Sequence, residues 1–312
     1  MPDKASYRTW CPSQPDLPVY VQPWYLDACC EGGEWDVALV READRIVASL
    51  PYFWKQKGPF RYVTMPPFAK TMGPYLVPEY RGVLKKEHAL LPELLAQLPK
   101  LAAFKQNFHP ALTNWLPLYW QGYQQTTYYT YRIEGLQHLE RVQADFNRNI
   151  RRNLQKARQQ VTVRHDLSAE QFYQLNRMSF ERQGLSVPYS WEQFRRHDAA
   201  LAEHQARQFF FAVDDQGRIH SAAYLIWDQQ AAYYHLSGDD PALRESGAGL
   251  LLIWEAIRYA SEQLGLSCFD FEGSMLPAVE RIRVQFGAKQ TPYFYVWKYH
   301  SRWFKLLEQL KR

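Results

Sequence analysis

Three runs of aromatic, β-branched and small apolar residues lie close together in the second half of the chain: QFFFAVD, RIHSAAYLIWD and AAYYHLSGD. Only the polar segments Asp214 to Gly217 and Asp228 to Gln230 separate them. Connections that short join antiparallel neighbours and leave no room for a crossover helix, so the runs are predicted to form an antiparallel meander. The pattern then changes period. A helix is predicted from Gly249 to Leu264, then a strand LSCFDF, a short helix from Pro277 to Phe286, a strand TPYFYVWK and a final amphipathic helix. Meander, helix, strand, helix and strand describe an α/β unit with a mixed, mostly antiparallel sheet flanked by helices.

That unit does not use up the chain. At 312 residues two modest domains are expected, and the pattern divides them near residue 140. The first, 1–140, opens with a short helix after Pro23 and continues with strand-like runs from Trp35, Arg45 and Phe60. The prolines of PPFAKTMGPYLVP predict an ordered loop, with Lys70 either lining a cleft or capping the first sheet. Leucines at helical spacing predict a helix from about Leu84 to Gln106, broken or kinked at Pro92 and Pro99, and TTYYTYRI predicts a further strand. The second domain, 141–312, is opened by a basic helix over residues 139–160. In it Val142, Phe146, Ile150, Leu154, Ala157 and Val161 form one apolar stripe. Two more helices follow, Ser168 to Gln183 behind a capping box and Ser190 to about His204.

The formal charge of +5 is concentrated in one place. Residues 141–165 carry 7 basic and 1 acidic side chains, while the segments on either side are nearly balanced. Arg151, Arg152 and Lys156 on the basic helix are candidate contacts for an anionic acceptor, for the phosphates of a donor or for tRNA; a solvated face is the alternative. Hydrophobic residues at 46% and charged residues at 22% exclude a disordered or collagenous chain. The 11 Trp, 21 Tyr and 17 Phe are chiefly core material, with some available to line a cleft. No apolar run is long enough to span a membrane and the start of the chain lacks a signal-like stretch, which predicts a cytoplasmic protein. Cys11, Cys29, Cys30 and Cys268 show no metal-ligand spacing and are expected to be reduced and mostly buried, so no metal is implied.

The most specific local feature is R-E-S-G-A-G, Arg244 to Gly249, between a strand and a helix. Glycines at 247 and 249 let backbone approach a ligand, and the first helical turn, with Ala248 and Leu250, points N–H groups at it. Such an end suits a pyrophosphate, to which Arg244 can add a charge-assisted contact. A Gly-rich connection opening a helix is the plainer reading.

YYHLSGDD followed by RESGAG, the helix LLLIWEAIRYASEQLG and the strand end FDFEGS resemble the GNAT superfamily, and within it the FemAB-like tandem-domain transferases. The segment FNRNIRRNLQKARQQVTV is similar to the one that opens their second domain, so the resemblance covers about residues 141–298. It implies that residues 1–140 are a degenerate GNAT-like domain. It further implies an acyltransferase, with acyl-coenzyme A as co-substrate lying on Arg244, Gly247 and Gly249. FemAB-like peptidyltransferases instead take the acyl group from aminoacyl-tRNA and extend a peptidoglycan precursor. A complete R-x-x-G-x-G is more expected of coenzyme A users, and the chain has no long heptad insertion of the kind a tRNA-contacting arm needs.

Acyl transfer needs a base near the nucleophile, a donor to the oxyanion and an acid for the leaving group. Glu272, at the end of CFDF, is the first candidate for the base, with Asp270 two residues before it on the same strand face; two nearby carboxylates raise one pKa. Capping of the next helix, or pairing with an arginine such as Arg281, is the structural alternative. His235 alternates with Tyr233 and Ser237 on one face of its strand and is a second candidate base or substrate contact. Tyr293 and Tyr295 are candidates for the acid, and Ser237 and Ser274 for contacts to the acceptor. The functions in competition are an N-acyltransferase acting on an amine-bearing, anionic or sugar-like acceptor, an aminoacyl-tRNA-dependent transferase acting on a cell-wall precursor, and a binding protein that has kept the fold.

Overall fold

The computed structural model describes residues 3–273 and 275–310. In chain order it holds helices α1 (Lys4–Trp10) and α2 (Pro23–Cys29), strands β1 (Glu34–Glu42), β2 (Arg45–Lys57), β3 (Phe60–Thr64) and β4 (Tyr75–Leu76), then α3 (Leu84–Ala96), β5 (Ala103–Asn107), α4 (Leu116–Trp120) and β6 (Gln124–Glu134). There follow α5 (Leu139–Ala144), α6 (Arg148–Arg158), β7 (Thr162–Arg164), α7 (Ala169–Glu181), α8 (Trp191–Glu203), β8 (Arg207–Val213), β9 (Ile219–Trp227) and β10 (Ala232–Asp239). The chain ends with α9 (Ala248–Glu262), β11 (Cys268–Asp270), α10 (Pro277–Gln285), β12 (Lys289–Tyr299) and α11 (Arg302–Gln309).

These elements gather into two compact units, one of residues up to 128 together with those from 292 on, the other of residues 129–291. The division differs from a single break near 140. Arg132, Ile133 and Glu134 pair with β11, which draws the end of β6 into the second unit, and Tyr295–Tyr299 pair with β5, which returns the end of the chain to the first. Both pairings join segments far apart in sequence, where local periodicity carries no signal.

In the first unit β1, β2 and β3 are antiparallel neighbours, β3 runs parallel to β5, and β4 pairs with β2 at Ala48 and Ser49. Its core holds Tyr7, Trp35, Phe53, Phe104 and Phe108 with the leucines of α3. The helix expected as far as Gln106 stops at Ala96. Proline at 99 cannot donate to the ladder and disfavours helical backbone at Leu98, and AFKQN then pairs as β5.

In the second unit the strands lie in the order β6, β11, β10, β9, β8, β7. All neighbours are antiparallel except β10 and β11. Helices α6 and α9 cover one face, where Phe146, Ile150, Leu154, Leu252 and Ala256 pack with Phe210, Leu225, Tyr234 and Phe269. Helices α7 and α8 cover the other, where Phe172, Phe194, Phe209 and Tyr224 stack together. Both start at capping boxes, Ser168 with Gln171 and Ser190 with Gln193. The basic helix expected to run unbroken over 139–160 is two helices. Asn147 has extended backbone and its Oδ1 accepts the Ile150 N–H, so it caps α6 and ends the run from α5. The apolar stripe survives the break because each of its residues is still buried. Asn147→Ala is expected to lower stability by about 1 kcal/mol in urea unfolding, the usual size of a lost cap.

Candidate active site

Strands β10 and β11 begin side by side and then part. They pair in parallel only at Ala232 with Phe269 and Tyr233 with Asp270. Beyond that point β10 runs on to Asp239, while the chain after Asp270 follows β6, the Phe271 N–H donating to the Tyr131 carbonyl. Glu272 (φ 57°) and Gly273 (φ 70°) are both left-handed and turn the chain further away. A glutamate held there is strained, a condition that recurs where a side chain must be aimed. A split at the carboxyl ends of parallel strands is a general position for a ligand.

Two side chains bridge the split. On β10 the register against β9 shifts between Tyr234 and Leu236, so His235 is the extra residue of a β-bulge. Its Nδ1 lies 2.6 Å from Glu272 Oε1, and the two side chains are 1% and 2% exposed. On the far side of the ring, His235 Nε2 lies 3.1 Å from His197 Nε2 on α8. Burial, and then the neighbouring His235, push the His197 pKa well below the ordinary histidine value, so His197 is neutral. A neutral His197 that donates from Nε2 leaves His235 to donate from Nδ1 to the Glu272 carboxylate. The three side chains form one hydrogen-bonded line through the His235 ring.

Asp270 does not share a strand face with Glu272. The strand ends at Asp270, and its Oδ1 accepts the Glu272 N–H at 2.8 Å and the Thr130 hydroxyl, while Oδ2 faces Arg132 Nε at 3.5 Å. Burial raises its pKa to about 6, and the Glu272 charge is a minor contributor. Asp270 therefore orients the backbone that carries Glu272. The bulge also separates His235 from Ser237. Ser237 lies opposite Ala223, on the face that packs against α9, whereas His235 turns toward α8. Tyr295 belongs to the first unit, where its ring stacks on Tyr128 at 5.5 Å and on Trp297 at 5.4 Å. Ser274 lies outside the described residues.

Two residues of the site were not singled out in the sequence. His197 shares a buried helix face with Phe194, Asp198 and Leu201, and a histidine and an aspartate on such a face are the signal that could have drawn attention to it. Arg283 on α10 places its guanidinium 4.7 Å from the Phe271 ring and 5.8 Å from Tyr234. Its buried Nε has no hydrogen-bond partner among the described residues, and burial pulls its pKa below the ordinary arginine value.

The loop Arg244–Gly249 leads into α9 as expected, but its polar groups are largely engaged. The Gly247 N–H donates to Arg244 O, Ala248 N–H to Ser246 Oγ, and Leu250 and Leu251 N–H to Gly247 O. Gly247 is left-handed (φ 77°), and a Cβ there would stand 3.3 Å from Asn153 O on α6. A Cβ on Gly249 would stand 3.0 Å from Asp239 Oδ1, which accepts from Ser221 Oγ at 2.7 Å. Arg244 Nε is 3.8 Å from Asp239 Oδ2. The room made by both glycines is thus taken by the protein itself, in one case by a carboxylate.

Helix α6 lies against the same loop, Lys156 Nζ donating to the Glu245 carbonyl. Arg151 donates back to Ala144 O. Arg148 and Arg152 are exposed and carry no ion pair among the described residues.

Residues 144–280 match the family model of the acetyltransferase (GNAT) domain. No curated protein sequence matches the chain. Among solved structures, FemX superposes with a TM-score of 0.72 at 13% identity, over 94% of this chain and 96% of that one. The L-PGS of Bacillus licheniformis gives 0.57 at 12% identity, over 99% and 95%. A tandem GNAT protein from the clavulanic acid biosynthesis pathway gives 0.54 at 11%, over 94% and 92%. At these identities the likeness is one of fold, and it extends over both units. Residues 144–280 carry a GNAT acetyltransferase domain, and the chain as a whole has the fold of tandem GNAT-like structures such as FemX.

Proposed function

We propose that the second unit transfers an acyl group from an activated ester or thioester to an amine, with Glu272 accepting the amine proton. The observation that carries this reading is the 2.6 Å contact between Glu272 Oε1 and His235 Nδ1 where β10 and β11 part. An attacking amine must lose a proton as the new C–N bond forms, and a carboxylate takes it best when held in place by a fixed donor. His235 Nδ1–H is that donor, and His197 fixes the ring. Arg283, with its Nε unpartnered, is the cation closest in kind to what a developing oxyanion requires. When the tetrahedral centre collapses, the C–O or C–S bond breaks and the proton held at Glu272 is the one available to the leaving group.

Acyl-coenzyme A and aminoacyl-tRNA both present such an acyl group. The Asp239 carboxylate beside Gly249 weighs against a pyrophosphate on the α9 loop and favours the second donor, as do the exposed Arg148 and Arg152. An amine-bearing cell-wall precursor is the acceptor that goes with it. Calorimetric titration with acetyl-coenzyme A is then expected to give no binding tighter than about millimolar. Charged tRNA is expected to be retained on filters, and Arg148→Glu with Arg152→Glu should weaken retention about tenfold or more and flatten its salt dependence. Micromolar coenzyme A binding that is lost in Gly249→Val would reverse the choice of donor.

A further inference from the structure

Helix α11 is held to the first unit by one side only. Phe304 is buried against Ala102 and Ala103, its ring 5.5 Å from Phe60 and 4.9 Å from Tyr62. Glu308, the only acid on the helix, accepts from Tyr299 Oη at 2.7 Å and pairs with Lys105. Away from these anchors Trp303, Leu306, Leu307 and Leu310 are 73%, 48%, 41% and 76% exposed. Spacing of i, i+3, i+4 and i+7 makes them one stripe about 100° wide, the pattern of a helix face that should be covered. Exposed Arg302 and Lys305 flank the stripe, and Lys57 and Lys105 stand around Glu308.

A second exposed apolar surface lies in the same unit. Leu116, Tyr119 and Trp120 of α4 are open to solvent. The residue after them, Gln121, accepts from Lys298 Nζ at 2.6 Å, and the Tyr123 ring lies 6.4 Å from His300, next to where α11 begins. Lys298, which meets α4, and Tyr299, which meets α11, are successive residues of β12 and point to opposite faces, so the two helices lie on opposite sides of the sheet.

We propose that α11 is a docking surface for a membrane rich in anionic lipid. A tryptophan with leucines along one helix face, bordered by cations, is what the headgroup boundary of a bilayer accommodates, since the ring and stems enter the acyl layer while the charges meet lipid phosphate. The attachment proposed is a peripheral one, along the face of α11; no helix among the described residues is long and apolar enough to cross a membrane. It brings the chain to the surface where lipid-borne amines are displayed, and it does not depend on which donor the second unit uses.

The test is sedimentation of the full chain with vesicles of phosphatidylcholine alone and of three parts phosphatidylcholine to one part phosphatidylglycerol. Binding to the anionic vesicles at low salt is expected, weakening as salt rises, with little binding to the neutral ones. The double substitution Trp303→Ser and Leu310→Glu should cut that binding at least about tenfold while leaving the circular dichroism spectrum and thermal midpoint unchanged. Three results would overturn the proposal: no binding to anionic vesicles, binding that survives the double substitution, or a dimer in sedimentation velocity that the same substitutions dissociate, which would mean that a second copy covers the stripe.

Discussion

Glu272→Gln is expected to slow acyl transfer by about 10²–10⁴-fold, the usual worth of a positioned general base. Glutamine has nearly the shape of glutamate, and its carbonyl can still accept the His235 Nδ1–H that Glu272 Oε1 accepts at 2.6 Å. The bridge across the split is therefore kept while the basic oxygen is lost. Single-turnover amide formation, with the donor that proves active, measures the loss, and the thermal midpoint should move by no more than a few degrees. A rate that stayed within threefold of the unaltered chain would assign the proton to another group. A large fall in midpoint with the rate intact would make the Glu272–His235 pair a structural device.

Much of this site could be read from residue order, and the parts that could not share a cause. The meander, the strand before Glu272, shorter than expected and ending at Asp270, and the helix that opens at Ala248, one residue before the expected Gly249, follow from local periodicity and turn chemistry. The bulge at His235 does not, because one extra residue leaves the run AYYHLSGD looking like an alternating strand and shows only when β9 is laid beside it. That single shift moved Ser237 to the opposite face. The same limit applies to the glycines of the α9 loop. Sequence shows that a side chain is absent at 247 and 249, but what fills the room, Asn153 from α6 and Asp239 from β10, is set by packing between elements far apart in the chain. The helix that ends at Ala96 shows the reverse case, a local signal: of the two prolines expected to break or kink it, Pro92 lies inside α3 and the helix stops short of Pro99.

Gly273→Ala is expected to be more damaging than its size suggests, and Gly265→Ala separates the reasons. Both positions have left-handed backbone, φ 70° at Gly273 and φ 65° at Gly265, so an alanine at either costs about 1–2 kcal/mol in backbone strain. At Gly265 a new Cβ meets nothing within 4 Å. At Gly273 it would stand 2.3 Å from the Tyr129 carbonyl oxygen and 3.1 Å from Thr130 Cα, both on the main chain of β6. Backbone held in a sheet cannot step aside as a side chain can, so the 271–273 segment must lift away from β6. That segment carries Glu272, whose N–H is fixed by Asp270 and whose side chain reaches His235, so lifting it opens the bridge across the split. Urea unfolding should show Gly265→Ala less stable by about 1–2 kcal/mol and Gly273→Ala by about 3 kcal/mol or more. Below the midpoint, Gly265→Ala should turn over normally, while Gly273→Ala should lose activity on the scale of Glu272→Gln. If the two glycine variants instead lost stability and activity alike, the close approach to β6 would not be what sets the angle of Glu272. If Gly273→Ala lost stability but kept its rate, the proton would be taken by a group that does not ride on this turn.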